Sequence, residues 1–207
     1  MFKRMLVVMS LFVVMTMQGM VAQAETDEVG PKQAVEITVN GVIDVLKARE
    51  DQKSLSESDR EAIRNAVSEY FDFTEMGKRA LAAPWKELDD AQKTEFVGLF
   101  RQLLELTYGN RLANFHDQTV EYGEVYVKGR IAIVDSEVVD ADKRTPVRYK
   151  LVHKEVGWRV YDIRVEGISM ISTFRTDFTT AYNKDGAEGF IAGLKERVAS
   201  MQSADKG

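Results

Sequence analysis

The chain has 207 residues, a formal net charge of −5 and no cysteine. The missing cysteine excludes disulfides, a thiolate nucleophile and a cysteine-ligated metal. The acidic balance argues against nucleic acid, whose phosphates need stripes of Lys and Arg, and the length suffices for a single domain with a sizeable core.

The chain opens with the pattern of a secretory leader. Lys3 and Arg4 form a basic start, Met5 to Met17 is an apolar run, and Ala22-Gln23-Ala24 is a small-x-small cleavage site. The run falls short of the ~20 residues a membrane span needs. No Cys follows it, so lipid attachment through cysteine is excluded. Cleavage after Ala24 is expected, leaving one domain over 25–207 in the periplasm.

Pro31 suits the first turn of a helix, and Val35, Val39, Val42, Ile43 and Leu46 recur at helical spacing. A polar loop follows. A second helix is expected from Ser58 or Asp59, with Ile63, Ala66, Val67 and Tyr70 on one face. Asp72 or Thr74 can cap a third, ending near Leu81, and Pro84-Trp85 punctuates the chain. Asp89 with Gln92 resembles a capping box for the longest helix. That helix carries Phe96, Val97, Leu99, Phe100, Leu103, Leu104, Leu106 and Tyr108, an apolar arc wider than one seam needs. It is therefore buried on more than one side or lines something. Gly109-Asn110 is expected to end or kink it.

After Asp117 the period changes to two. Strands are expected over 118–128, 130–139, 146–154 and 158–165, joined by short connections that imply an antiparallel meander. Along the third, Val147, Tyr149 and Leu151 face one way and Arg148 and Lys150 the other. The fourth has apolar residues on both faces, as a covered strand would. Gly167 breaks it, and Ile168, Ile171, Phe174 and Phe178 then lie on one helical face. A turn at 183–186 precedes a last helix with Phe190, Ile191, Leu194 and Val198. The fold class is α+β: a curled four-stranded antiparallel sheet with helices packed over its concave face.

Signatures of catalysis are scarce. His116 and His153 stand far apart, no paired His or Glu spacing suggests zinc, and neither a nucleophile elbow nor a phosphate-binding glycine loop occurs. No metal site is expected. Asp162, beside Tyr161 among apolar neighbours, is the one carboxylate in a setting suited to acid/base chemistry. The simpler reading pairs it with Arg164, Arg175 or a backbone N–H.

Two stretches, FDFTEMGKRALAAPWKELDDAQKTEFVGLFRQLLELTYGNRL (71–112) and YKLVHKEVGWRVYDIRVEGISMISTFRTDF (149–178), resemble the MlaC family, also known as the toluene-tolerance Ttg2D type. The second contains the run W-x-V-Y-D-x-x-x-x-G-x-S and, later, Phe174-Arg175. The resemblance spans nearly all of the chain after the leader. It implies a soluble periplasmic carrier, not an enzyme, with a deep apolar cavity closed by helices and a phospholipid as cargo in place of a cofactor. It implies shuttling between an outer-membrane lipoprotein/porin complex and an inner-membrane ABC transporter complex with a lipid-binding ring subunit, by a protein expected to be monomeric. Trp85, Phe100, Leu104 and Tyr108 from the helices, Tyr149, Leu151 and Tyr161 from the sheet, and Ile168, Ile171 and Phe174 from the closing helix are the residues expected to wall the cavity. Arg175 is a candidate for pairing with a carboxylate to hold that helix, or for docking a partner. Other readings are a carrier of a different lipid such as a hopanoid, an enzyme using Asp162 and Tyr161, and a ligand-free adaptor.

Overall fold

The computed structural model describes residues 28–205; the expected leader lies outside them. Helix α1 (Pro31–Ala48) begins with Pro31, whose missing N–H costs nothing in a first turn. Helix α2 (Glu57–Ser68) starts earlier than expected, because Ser56 and Asp59 form a capping box. Asp72 caps α3 (Phe73–Leu81) through the Glu75 N–H at 2.8 Å. A 3-10 turn (Ala83–Lys86) leads to α4 (Asp90–Ala113), which carries the expected Asp89–Gln92 capping box. Contrary to expectation, α4 runs without a break through Gly109 and Asn110.

Strands β1 (Thr119–Lys128), β2 (Ile131–Asp140), β3 (Lys143–Lys154), β4 (Gly157–Val165) and β5 (Ile168–Ser169) form one antiparallel sheet in chain order. Its strands number five, not the expected four. The extra one uses residues expected to open the closing helix. Glu166 (φ 52°) and Gly167 (φ 82°) both take the left-handed conformation of a tight hairpin turn, which folds Ile168 and Ser169 back against β4. Helix α5 (Met170–Asp205) follows, interrupted at Gly186 (φ 66°, ψ −174°), where the turn was expected.

The register shift opposite Lys150 and Leu151 leaves Tyr161 as a bulge in β4, since Leu151 faces Val160 and Lys150 faces Asp162. Val160 therefore joins Ala132, Val134, Tyr149 and Leu151 in a cluster covered by Ala34 and Val35 of α1. Tyr161 turns into a second cluster with α3, α4 and α5. The expectation of a strand covered on both faces is met, and helices stand against both of them rather than one. Phe71 bridges to β4 in parallel, with Asp72 N–H donating to Val160 O at 2.9 Å and Val160 N–H to Tyr70 O at 2.7 Å. That bridge, with a Lys154–Asp72 ion pair, fixes the α2–α3 junction on the sheet. Among the described residues no helix is long and apolar enough to cross a membrane.

Candidate functional site

Helix α4 has two apolar seams. Phe96, Phe100 and Leu103 face α5 and are fully buried. Leu104, Tyr108 and Leu112, spaced four apart, line a pocket of about 130 Å³. Its other walls are Ile63 and Val67 of α2, Phe73 and Met76 of α3, Ile163 of β4 and Met170 at the start of α5. Ile63 and Val67 share one side of α2, yet α2 has no fully buried residue. Both line the pocket, and Ile63 also packs on the small cluster of Leu46, Leu55 and Ala113. The walls are almost wholly apolar, and the polar groups gather at the rim.

Arg60, Arg64, Arg101 and Glu105 form that rim and line a second, polar recess of about 420 Å³ that adjoins it. Arg64 ties α2 to α4: Nη1 donates to Glu105 Oε1 at 2.7 Å and Nη2 to Glu57 Oε1 at 2.6 Å. The Glu57 hydrogen bond raises the Arg64 pKa above its ordinary value, with burial opposing and the Glu105 charge assisting. Arg101 Nη2 donates to Arg64 O at 3.2 Å and to Ser68 Oγ at 2.8 Å, while its guanidinium lies 4.7 Å from the centre of the Phe73 ring. Gly109 leaves room for Arg60, whose Nη1 would stand 3.0 Å from a Cβ there.

Of the residues expected to wall a cavity, Leu104 and Tyr108 lie at this pocket. Phe100, Tyr161, Ile171 and Phe174 lie in the helix cluster, and Trp85 packs on its edge, 6.2 Å from the Phe96 ring. Tyr149 and Leu151 belong to the cluster beneath α1. Ile168 stands in β5 and is 65% exposed, because the Glu166-Gly167 turn carries it away from the α5 face. Sequence reading missed Ile63, Val67, Phe73, Met76 and Ile163 as walls, and the arginine rim altogether. A usable signal was present in α2, where Arg60 and Arg64 share a side next to Ile63 and Val67 at helical spacing.

Asp162 is 6% exposed, and its carboxylate is engaged. It accepts from Ser169 Oγ at 2.8 and 2.9 Å and from the Ile171 N–H at 3.5 Å, with Arg164 Nε 3.8 Å away. It is engaged, as the simpler reading anticipated, through Arg164 and a backbone N–H, but its nearest partner is the Ser169 hydroxyl, which was not expected. Tyr161 lies under the Arg79 guanidinium, 3.9 Å from its ring centre. Among the described residues Arg175 meets no carboxylate but donates to Arg79 O at 3.1 and 3.3 Å, docking α5 on the end of α3. His116 meets Arg49 at 3.2 Å and His153 meets Glu28 at 2.7 Å. Among the described residues no group of three or more His, Cys, Asp or Glu could hold a metal.

The fold has solved counterparts. A phospholipid-binding protein from Ralstonia solanacearum, solved in complex with a phospholipid, superposes with a TM-score of 0.78 at 24% identity over 84% of this chain and 99% of the other. In sequence, the intermembrane phospholipid transport system binding protein MlaC of Haemophilus influenzae is 22% identical over 146 residues, 68% of each chain. The toluene tolerance protein ttg2D of Pseudomonas putida is 24% identical over 180 residues, 84% of each. The family model described as MlaC protein matches residues 36–196, well over half of the sequence, and the chain belongs to the MlaC family.

Proposed function

We propose that this protein is a periplasmic phospholipid carrier, exported by the leader over 1–24, that holds acyl chains in the pocket between α2, α4 and β4. It passes them between an outer-membrane complex and an inner-membrane ABC transporter complex. The observation that carries this reading is an apolar pocket with a charged rim, covered by a helix that has no fully buried residue, in a member of the MlaC family. The names of the relatives point the same way.

The energetics suit a shuttle. Moving an acyl chain out of water is worth about 0.8 kcal/mol per CH₂, enough to make two chains nearly irreversible. Lipid moving from one apolar site to another cancels most of that term, so transfer is close to neutral and the carrier's task is to keep the chains dry. A pocket of about 130 Å³ is smaller than the roughly 300–1,000 Å³ of ordinary ligand sites. Two chains therefore require widening. Helix α2 is the element to move, since it has no fully buried residue and is tied to α4 by polar links, the Arg64–Glu105 pair and the Arg101 hydrogen bonds to Arg64 O and Ser68 Oγ. An apolar wall accepts tails of any kind, so the cargo's tails are selected weakly. The engaged Asp162 supports a carrier over an enzyme.

Purification from the periplasm with the native leader, followed by solvent extraction and mass spectrometry, tests the reading. A two-chain phospholipid stoichiometric with protein is expected. A hopanoid in its place would keep the carrier and reassign the cargo. A stable, lipid-free protein that takes up no phospholipid from micelles would refute it.

A further inference from the structure

We propose that Met170 is an oxidation site guarded by the cargo: peroxide converts its thioether to the sulfoxide when the pocket is empty, and the oxidised pocket holds acyl chains weakly. The inference rests on the carrier reading and deepens it. After residue 24 the chain has three methionines, Met76, Met170 and Met201, and no cysteine, so methionine is its only oxidisable sulfur. Two of the three, Met76 and Met170, line the apolar pocket. A thioether on three rotatable bonds moulds itself to an irregular neighbour, which suits a wall that must fit acyl chains. The same sulfur is open to two-electron oxidation.

Access separates the two. Met76 is 1% exposed and belongs to the helix cluster. Met170 is only partly buried, at the point where β5 passes into α5. Its sulfur lone pair attacks one peroxide oxygen. The O–O bond breaks, an S–O bond forms, and the departing hydroxide takes up a proton and leaves as water. Sulfur gives up two electrons and the peroxide accepts them. The product is a polar group with a strong acceptor oxygen. The aliphatic walls, Val67, Leu104 and Ile163 among them, offer that oxygen no donor. An acyl chain packed against it therefore buries an unpaired polar group. A chain already in the pocket covers the sulfur and keeps peroxide away, so the loaded carrier is spared and the empty one is modified.

The test uses the protein in two states, loaded with dioleoyl phosphatidylglycerol and delipidated in dodecyl maltoside. Each is treated with millimolar hydrogen peroxide, digested and read by mass spectrometry. Met170 sulfoxide should form about tenfold faster in the delipidated state, with Met76 unmodified in both. Affinity for the same lipid is then compared before and after treatment within each protein. Wild type should lose about tenfold or more, the scale of burying an unpaired polar group, and a mixture of the two methionine sulfoxide reductases should restore it. Met170→Leu should show the same affinity before and after, whatever its starting value. Met201→Leu, changed outside the pocket, should respond as wild type does. Equal rates of Met170 oxidation in the two states would overturn the proposal, as would undiminished affinity in protein oxidised at Met170. A loss in Met170→Leu as large as in wild type would overturn it too. Failure of untreated wild type to take up the lipid would instead sink the carrier reading itself.

Discussion

The two sides of α4 are built from the same kinds of residue and packed in opposite ways. Toward α5, Phe96, Phe100, Phe174, Phe178 and Phe190 form a block with ring centres 5.5–5.8 Å apart, several of them edge to face. Toward α2, Leu104, Tyr108 and Leu112 border a pocket whose cover has no fully buried residue. A block of interlocked aromatic rings carries stability beyond its buried area. With the fold secured on one side, the other can remain loosely closed and open to a guest.

The contrast can be broken most severely at Phe178. Phe178→Ala removes the ring that contacts Phe96, Phe100, Phe174 and Phe190, and should cost about 3–5 kcal/mol. A denaturant titration measures it. Lipid content per folded molecule should be unchanged, because the ring lies on the far side of α4 from the pocket.

A second solid region sharpens the contrast through pH. Burial pushes the Tyr149 phenol up to about 12, against an opposing hydrogen bond from Ser136, and also raises Tyr122. An unfolded tyrosine ionises near 10, so the fold favours the neutral form. Stability from Tyr149 is complete below pH 10 and lost as pH rises toward 12, a change of up to roughly 3 kcal/mol at 1.36 kcal/mol per pH unit. Unfolding free energy followed over that window should fall, and less steeply in Tyr149→Phe.

The gentlest probe is one methyl group placed on each side. A Cβ at Gly77 would meet Phe96 Cε1 at 3.1 Å, and Phe96 is locked among Trp85, Phe100, Phe178 and Phe190. Gly77→Ala should lose about 1–2 kcal/mol to overpacking. At Gly109 the obstacle is the far end of the long Arg60 side chain. Gly109→Ala should be neutral or gain up to about 1 kcal/mol in helix propensity. Thermal melts of the two variants test the difference, and equal losses would mean that both sides are solid.

Caps and strands were legible in the sequence because local chemistry decides them. Asp72, Asp89 and Gln92 announced two helix starts, and the change to period two at residue 118 announced the meander. The fifth strand was not legible, since Ile168 and Ser169 continue a helical pattern and only the left-handed pair Glu166-Gly167 redirects them. The wide apolar arc of α4 was readable, whereas the division between seam and pocket was not. Leu103 and Leu104 are the same residue type one position apart, and what faces each is set by α5 and α2. The arginine rim had a local half, Arg60 with Arg64. Its third member, Arg101, lies 37 residues beyond Arg64 and joins them only when α2 and α4 meet.

That adjacent pair of leucines gives the most direct measurement. Leu103→Trp and Leu104→Trp should be purified side by side, with the molar ratio of bound phospholipid and the melting temperature of the delipidated proteins compared with wild type. Leu104 borders the pocket and Leu103 is fully buried in the block. Leu104→Trp should melt near wild type and carry little lipid, while Leu103→Trp should melt far lower from overpacking. A Leu104→Trp protein that is strongly destabilised yet keeps its full complement of lipid would contradict the assignment of this pocket to acyl chains.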